Sequence, residues 1–365
     1  MGGQRRLILS DGVRVYSNGA DEIRIRKGIW NYEEAILTFG DLSESLQSAL
    51  VGALDLLAEG QLLDLEHLPG EEGLTPEERD HVVQIVEALE YQNYVCAEDN
   101  SESMHLLCEI LGGTNTARYL ARAPSPGPVL FFADTHSIKD FACMLASEIK
   151  MPLTVMTENE FKDIAGLDLT TRHDGYDTKK QLDDLLKYIQ PFGCLVGCIE
   201  RPHIAFLRNI NRALIRTSQT LSLALLDGPF TSVFTIKPPE TGCFECFELR
   251  LMARMQDMSA YQRFAECTRT LASASQKTCA SPLMYSLAAQ ALFEGFLVSN
   301  LGKARLAGRV LNTYLPIMEI QVQDLLRVPF CPACGFISEA RLDEMCTSTK
   351  KIVDKVVERI IVKDG

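Results

Sequence analysis

The chain has 365 residues, 46% hydrophobic and 23% charged, enough to bury a core and long enough for two or three domains. Its net charge of −13 and pI near 5.0 argue against non-specific nucleic-acid binding. Met1-Gly2-Gly3-Gln4-Arg5-Arg6 leads straight into a strand pattern instead of an export signal, and no run of about 18 apolar residues reads as a membrane span. The twelve cysteines therefore point to a reducing cytoplasm, where those without a metal-binding pattern are expected to be buried thiols.

In chain order, residues 1–97 form one pattern. An alternating run from Leu7 to Tyr16, bent at Ser10-Asp11-Gly12, is followed by Ile23-Arg24-Ile25-Arg26 and Ala35-Ile36-Leu37-Thr38-Phe39, which predicts three short strands. Leu46, Leu50, Ala53, Leu54 and Leu57 recur at helical spacing up to Gly60, and a short third segment is expected at 62–68. Thr75-Pro76-Glu77-Glu78 is a helix start, with a capping threonine, proline at the first helical position and glutamate three residues after the cap. Val82, Ile85, Val86 and Leu89 then line one apolar face. Three strands followed by three helices predict a small winged-helix-like module.

Residues 98–127 are expected to be a linker, rich in proline near its end, leading into a domain at 128–365. There, apolar runs at 129–132, 153–156, 194–199 and 222–226 alternate with helical stretches at 138–149, 180–189 and 204–216. Strands apolar on both faces and separated by helices predict an α/β domain built on a parallel sheet.

Cys243-Phe-Glu-Cys246 follows Pro238-Pro239-Glu240-Thr241-Gly242, and Cys331-Pro-Ala-Cys334 runs into Gly335. Each pair can supply two thiolates from a tight turn, and four thiolates fill the coordination shell of zinc, leaving no position for water or substrate. Cys243, Cys246, Cys331 and Cys334 therefore predict one structural zinc site. His136 near Asp134 and Cys279 near Ser281 bring no evident base and orienting group, so neither pair reads as catalytic. The tail at 350–362 alternates apolar and charged residues and is expected to dock on this chain or on a partner.

The apolar α/β strands, the run from Ser232 through Lys237-Pro238-Pro239-Glu240-Thr241-Gly242-Cys243 to Cys246, the helical tract at 281–301 and the closing Cys331-Pro332-Ala333-Cys334-Gly335 resemble the E1-like, ThiF-type fold, a Rossmann-like α/β domain with a four-cysteine zinc knuckle. With the N-terminal module, the chain is similar to the ThiF-like partner proteins of azoline-forming cyclodehydratases in thiazole/oxazole-modified peptide biosynthesis. The resemblance implies that the N-terminal module recognises the leader of a ribosomally made precursor peptide. It further implies that a YcaO-type cyclodehydratase, the second partner, performs the ATP-dependent chemistry.

The same resemblance implies where a leader would lie. It adds as a strand to Ala35, Ile36, Leu37, Thr38 and Phe39, beside a helix offering Val82, Val83 and Val86; Ile85 and Leu89 are expected in the core. Active E1-like enzymes carry a glycine-rich loop after the first strand, an acidic ribose contact after the second and an aspartate for magnesium after a later one. Here those places hold Ala133-Asp134-Thr135-His136, Thr157-Glu158-Asn159-Glu160 and Glu200-Arg201-Pro202. Without the loop, ATP chemistry by this chain is not expected, and a homodimer is left open. Two alternatives stand beside this reading: an ATP-dependent adenylating enzyme acting on a peptide carboxylate, and a zinc-stabilised interaction protein.

Overall fold

The computed structural model describes residues 5–98 and 127–335, together with 106, 107 and 110, apart from 20, 31, 41, 171–175, 202 and 271–280. Most of the expected linker, Pro202, Cys279 and the 350–362 tail fall outside these residues. The chain forms two compact units, Met1–Arg122 and Ala123–Gly365.

The first unit runs β1 (Arg6–Leu9), β2 (Val13–Ser17), β3 (Glu22–Lys27), β4 (Glu33–Thr38), α1 (Glu44–Ala58), β5 (Leu63–Asp64), α2 (Pro76–Tyr91) and β6 (Val95–Ala97). The expected first strand is in fact two. Gly12 takes a left-handed φ of 74°, open to glycine at no steric cost. The turn sends β1 to pair with β5 and β6, while β2 joins β3 and β4 in a separate antiparallel sheet. The segment at 62–68 is not a helix: Leu63 and Asp64 pair with β1, and the Asp64 carboxylate accepts from the Glu66 N–H at 2.9 Å, turning the backbone away.

Both helices start where their caps dictate. Ser43 accepts from the Leu46 N–H, and Thr75 and Glu78 form a reciprocal capping box with Pro76 at the first position. Their apolar faces, Leu46, Leu50, Ala53, Leu54 and Leu57 on α1 and Val82, Val86 and Leu89 on α2, close over Leu7, Val13 and Ile25.

The second unit holds a seven-stranded mixed sheet. Its strands are β7 (Val129–Ala133), β8 (Leu153–Val155), β9 (Cys194–Ile199), β10 (Thr220–Asp227), β11 (Phe230–Ile236), β12 (Arg309–Tyr314) and β13 (Glu319–Asp324), arranged β13-β12-β11-β10-β9-β7-β8. Its helices are α3 (His136–Glu148), α4 (Glu158–Gly166), α5 (Tyr176–Ile189), α6 (Ile204–Thr217), α7 (Phe244–Met252), α8 (Met258–Cys267) and α9 (Ser281–Leu301). The strands from β8 to β10 are parallel, as their apolar runs predict. The sheet is nonetheless not all parallel, because Gly228-Pro229 joins β10 to β11 in a hairpin too short for a crossover, and β12 and β13 continue antiparallel.

β7 and β9 are buried along their whole length, so helices must cover both faces. α9 packs on β9 and β10 and comes close enough that a Cβ on Gly295 would stand 2.4 Å from Val196. The order of the parallel strands reverses at the border between β7 and β9, where open α/β sheets have their crevice, outside the carboxyl ends of the strands.

Candidate functional site

The sheet and α7 bring the two cysteine pairs together. Cys243 caps α7 and Cys246 lies in its first turn, while Cys331 and Cys334 sit in a turn closed by the Gly335 N–H donating to the Cys331 carbonyl at 2.9 Å. A side chain at Gly335 would meet the Pro329 and Cys331 carbonyls at 2.5 and 2.6 Å, so this turn admits only glycine. The four buried sulfurs lie within 4.8 Å of one another. Neighbouring pairs are 3.8 Å (Cys243–Cys246), 3.6 Å (Cys243–Cys331) and 3.4 Å (Cys246–Cys334) apart. A tetrahedral zinc with Zn–S of about 2.3 Å puts its sulfurs about 3.8 Å apart. The donor set is thus compatible with a structural zinc ion.

The surroundings favour negative sulfur. The Val328 N–H donates to Cys246 Sγ at 3.3 Å, and Asn211 Nδ2 reaches Cys243 Sγ at 3.6 Å. Between the sulfurs themselves, an S–H···S bond raises the Cys243 thiol above its ordinary pKa and lowers that of Cys246. Around them, Arg212 on α6 grips the buried Glu245 through Nε and Nη2 at 2.8 and 2.9 Å and reaches the Pro332 carbonyl with Nη1 at 2.9 Å. Arg327 donates to the Cys334 carbonyl at 2.7 Å. One guanidinium, its charge balanced by Glu245, therefore clamps α6 and α7 to the second cysteine turn.

The crevice between β7 and β9 is arranged differently. Asp134, at the end of β7, is buried and accepts from the Glu200 N–H at 3.1 Å and the Arg201 N–H at 2.7 Å, just beyond β9. His203 Nε2 stands 3.7 Å from its carboxylate. Burial raises the Asp134 carboxyl and lowers the His203 imidazole from their ordinary values, while the two backbone amides and His203 act on Asp134 in the opposite sense. Backbone amides at such a place are what a phosphate would use, and here an internal carboxylate takes them.

The acidic loop after β8 is likewise engaged. Thr157 and Glu160 form the capping box of α4, with the Thr157 N–H donating to Glu160 at 2.7 Å, and Tyr188 also bonds Glu160. Lys139 is buried with its ammonium on the Met156 carbonyl at 2.8 Å. His136 is exposed at the start of α3, and it is His203, not His136, that meets Asp134. Cys96, Cys194 and Cys198 are buried as expected, but Cys143 and Cys267 are exposed, because each falls on the outward face of its helix.

In the first unit, β4 pairs with β3 and, among the described residues, with no other strand. The Phe39 N–H bonds the Asp21 carbonyl, so in the register Ile25↔Ala35 and Ile23↔Leu37 the odd-numbered residues face β3. Glu34, Ile36 and Thr38 consequently turn their N–H and C=O groups outward. Ile36 and Thr38 are exposed, Ala35 and Leu37 pack partly on the core, and Phe39 is buried past the strand end. On α2, Val82 and Val86 are core residues, and Val83 is half-buried. Burial removes Phe39, Val82 and Val86 from the set that could touch a peptide directly.

The hairpin between β3 and β4 carries a feature that periodicity does not reveal. Trp30, the sole tryptophan of the chain, is 91% exposed, Ile29 and Tyr32 are also exposed, and the Arg26 guanidinium lies 3.6 Å over the Tyr32 ring. The signal was present as three apolar or aromatic residues in a turn, where polar ones are the rule.

No family model matches the chain, and no curated protein matches it. Among solved structures, the heterocyclase TruD superposes with a TM-score of 0.57 at 16% identity, covering 91% of this chain and 43% of that one. A heterocyclase in complex with substrate and cofactor gives 0.55 at 18% identity, covering 91% and 40%. E. coli MccB fits more loosely, with a TM-score of 0.43 at 12% identity over 90% and 97% of the two chains. No described helix is long and apolar enough to cross a membrane. The chain thus spans about two fifths of the length of the heterocyclases it matches, and it shares their fold over nine tenths of its own.

Proposed function

We propose that this chain is a leader-binding partner, without catalysis of its own, that delivers a ribosomally made precursor peptide to a separate YcaO-type cyclodehydratase for azoline formation in the cytoplasm. The observation that carries the reading is the open edge of β4, in a unit of its own, with the backbone of Glu34, Ile36 and Thr38 directed outward. An extended leader adds there as a further strand, its main chain bonding β4 and its side chains reading Ile36 and Thr38. Ala35, Leu37 and Val83 give the edge of the apolar floor, with Phe39, Val82 and Val86 beneath it.

The winged-helix-like unit is on this reading a precursor-recognition element, and the α/β unit is an E1-like scaffold held by zinc at Cys243, Cys246, Cys331 and Cys334. Three observations support it. The fold is that of a heterocyclase chain more than twice as long, whose unmatched part would have its counterpart in a separate enzyme. The amides at the end of β9 are taken by Asp134, which disfavours a triphosphate there. The four sulfurs admit no further ligand on a zinc ion.

Reconstitution tests the proposal: a YcaO-type enzyme and a precursor peptide encoded beside this gene are incubated with ATP, with and without the chain. Mass loss of water from the precursor is expected to depend on the chain and to fall by at least about tenfold with Ile36→Pro, which deletes an outward N–H and no bond to β3. Heterocycle formation that proceeds equally without the chain would overturn it, as would pyrophosphate exchange catalysed by the chain alone.

A further inference from the structure

The α/β unit has an open strand edge of its own. β13 pairs with β12 and, among the described residues, with no other strand. All its residues are exposed, Ile320 by 61% and Val322 by 55%, and Ile317 and Met318 in the preceding turn are exposed as well. Proteins usually protect such an edge with lysine, proline or a bulge. Glu319-Ile320-Gln321-Val322-Gln323-Asp324 has neither residue, and its register with β12 is unbroken.

Direction follows from the ladder. The Leu325 N–H bonds the Gly308 carbonyl at 2.7 Å, and the register continues through Arg309↔Asp324 and Val310↔Gln323. The odd-numbered residues of β13 therefore face β12, and Ile320, Val322 and Asp324 point their N–H and C=O groups outward.

We propose that β13 is the seam of a homodimer, pairing antiparallel with β13 of a second copy about a two-fold axis at Gln321. A two-fold perpendicular to the sheet must place some residue opposite its own copy, because residues that face each other share a side of the sheet. With Gln321 at the axis, Ile320 lies opposite the second copy's Val322, and Glu319 opposite its Gln323, each pairing occurring twice. Ile320 and Val322 are the outward-bonding residues, so each apolar pair also exchanges both backbone hydrogen bonds. No like charges meet.

Shifting the axis to Val322 sets Ile320 against Asp324. Shifting it to Ile320 leaves Gln323 and Asp324 beyond the paired stretch. The strand thus carries, within its own sequence, the complement that an isologous pair requires, and this selects a second copy over an unrelated strand. The seam lies in the α/β unit and does not rest on leader binding, so either reading can fail alone.

Sedimentation velocity of the full chain over a range of concentrations tests it. A dimer is expected, and a monomer is expected for Ile320→Lys/Val322→Lys, with unchanged circular dichroism and a cooperative thermal transition, no longer dependent on protein concentration, showing that the variant is folded. Gln321→Cys supplies a second readout. Opposed residues outside the hydrogen-bonded rings have Cα atoms about 4.5 Å apart, within disulfide reach, so mild oxidation is expected to link two copies through that position, as read by peptide mapping. A wild-type chain that stays monomeric throughout, or a dimer that survives the double lysine substitution, would overturn the proposal.

Discussion

Two places in the α/β unit are suited by position to hold an ion, and they are built in opposite ways. At the cysteine centre four sulfurs converge with a backbone N–H and the Asn211 amide directed at them, a donor set compatible with a cation from outside. In the crevice between β7 and β9 the donors are N–H groups, and their acceptor is internal, Asp134. The first place offers its sulfurs to a cation; the second already has its acceptor within the chain. Position in a fold therefore does not decide what binds there. The side chains that face the position do.

Removing the metal is expected to have the largest effect. Zinc binding in small structural sites is worth about 10–16 kcal/mol, so Cys331→Ser is expected to abolish cooperative folding of the α/β unit. Metal analysis would then fall from about one zinc per chain to none. Full stability in a metal-free chain would break the comparison at its first member.

Next comes the frame around the sulfurs. Arg212→Ala strands the buried Glu245, and loss of one partner of such a pair costs about 3–5 kcal/mol, read as a lower urea midpoint. Arg212→Lys, which lacks the fork that grips both carboxylate oxygens, is expected to recover only part of it.

Asp134→Ala addresses the second member. It leaves two amides without their acceptor, at a cost of about 1–3 kcal/mol. Inorganic phosphate is then expected to raise the melting temperature of the variant and not of the wild type. Equal response of both proteins would show that Asp134 does not fill an anion site.

The smallest effect lies in the first unit. Hydrogen bonds from Ser43 and from the Thr75 N–H and hydroxyl hold the Glu78 carboxylate down at about 2, against an ordinary value of 4.5. A carboxyl with a depressed pKa in the folded state stabilises above its unfolded value and loses that contribution as pH falls. The unit should therefore lose stability between about pH 4.5 and pH 2, and Glu78→Gln should flatten that part of the profile measured by urea midpoints.

Elements with a strong local signal are legible in the sequence itself. α2 begins at its capping box, β9 and α9 span the apolar stretches that predict them, and the two cysteine pairs converge. What could not be read depended on partners distant in sequence. β1 and β2 share one alternating run but part at Gly12 because β5 and β6 supply β1 with neighbours. β12 and β13 are too polar to register as core strands, and their place is set by β11. Val82 and Val86 lie on the face of α2 that a helical wheel marks as apolar, but the wheel does not say that α2 already packs on α1 and β6. The engagement of Asp134 with amides 66 and 67 residues away has no local trace.

The central claim, that a leader adds to the edge of β4, has a built-in reporter. Trp30 sits at the end of the β3–β4 hairpin and is the only tryptophan in the chain, so its emission reads that hairpin alone. The decisive measurement is a fluorescence titration of the full chain with a synthetic leader from a precursor encoded beside the gene, repeated with Ile36→Pro. The account predicts a saturable change at one peptide per chain, weakened at least about tenfold by the substitution. Unchanged emission together with no protection of the 33–38 amides from hydrogen exchange, or binding that Ile36→Pro leaves intact, would contradict it.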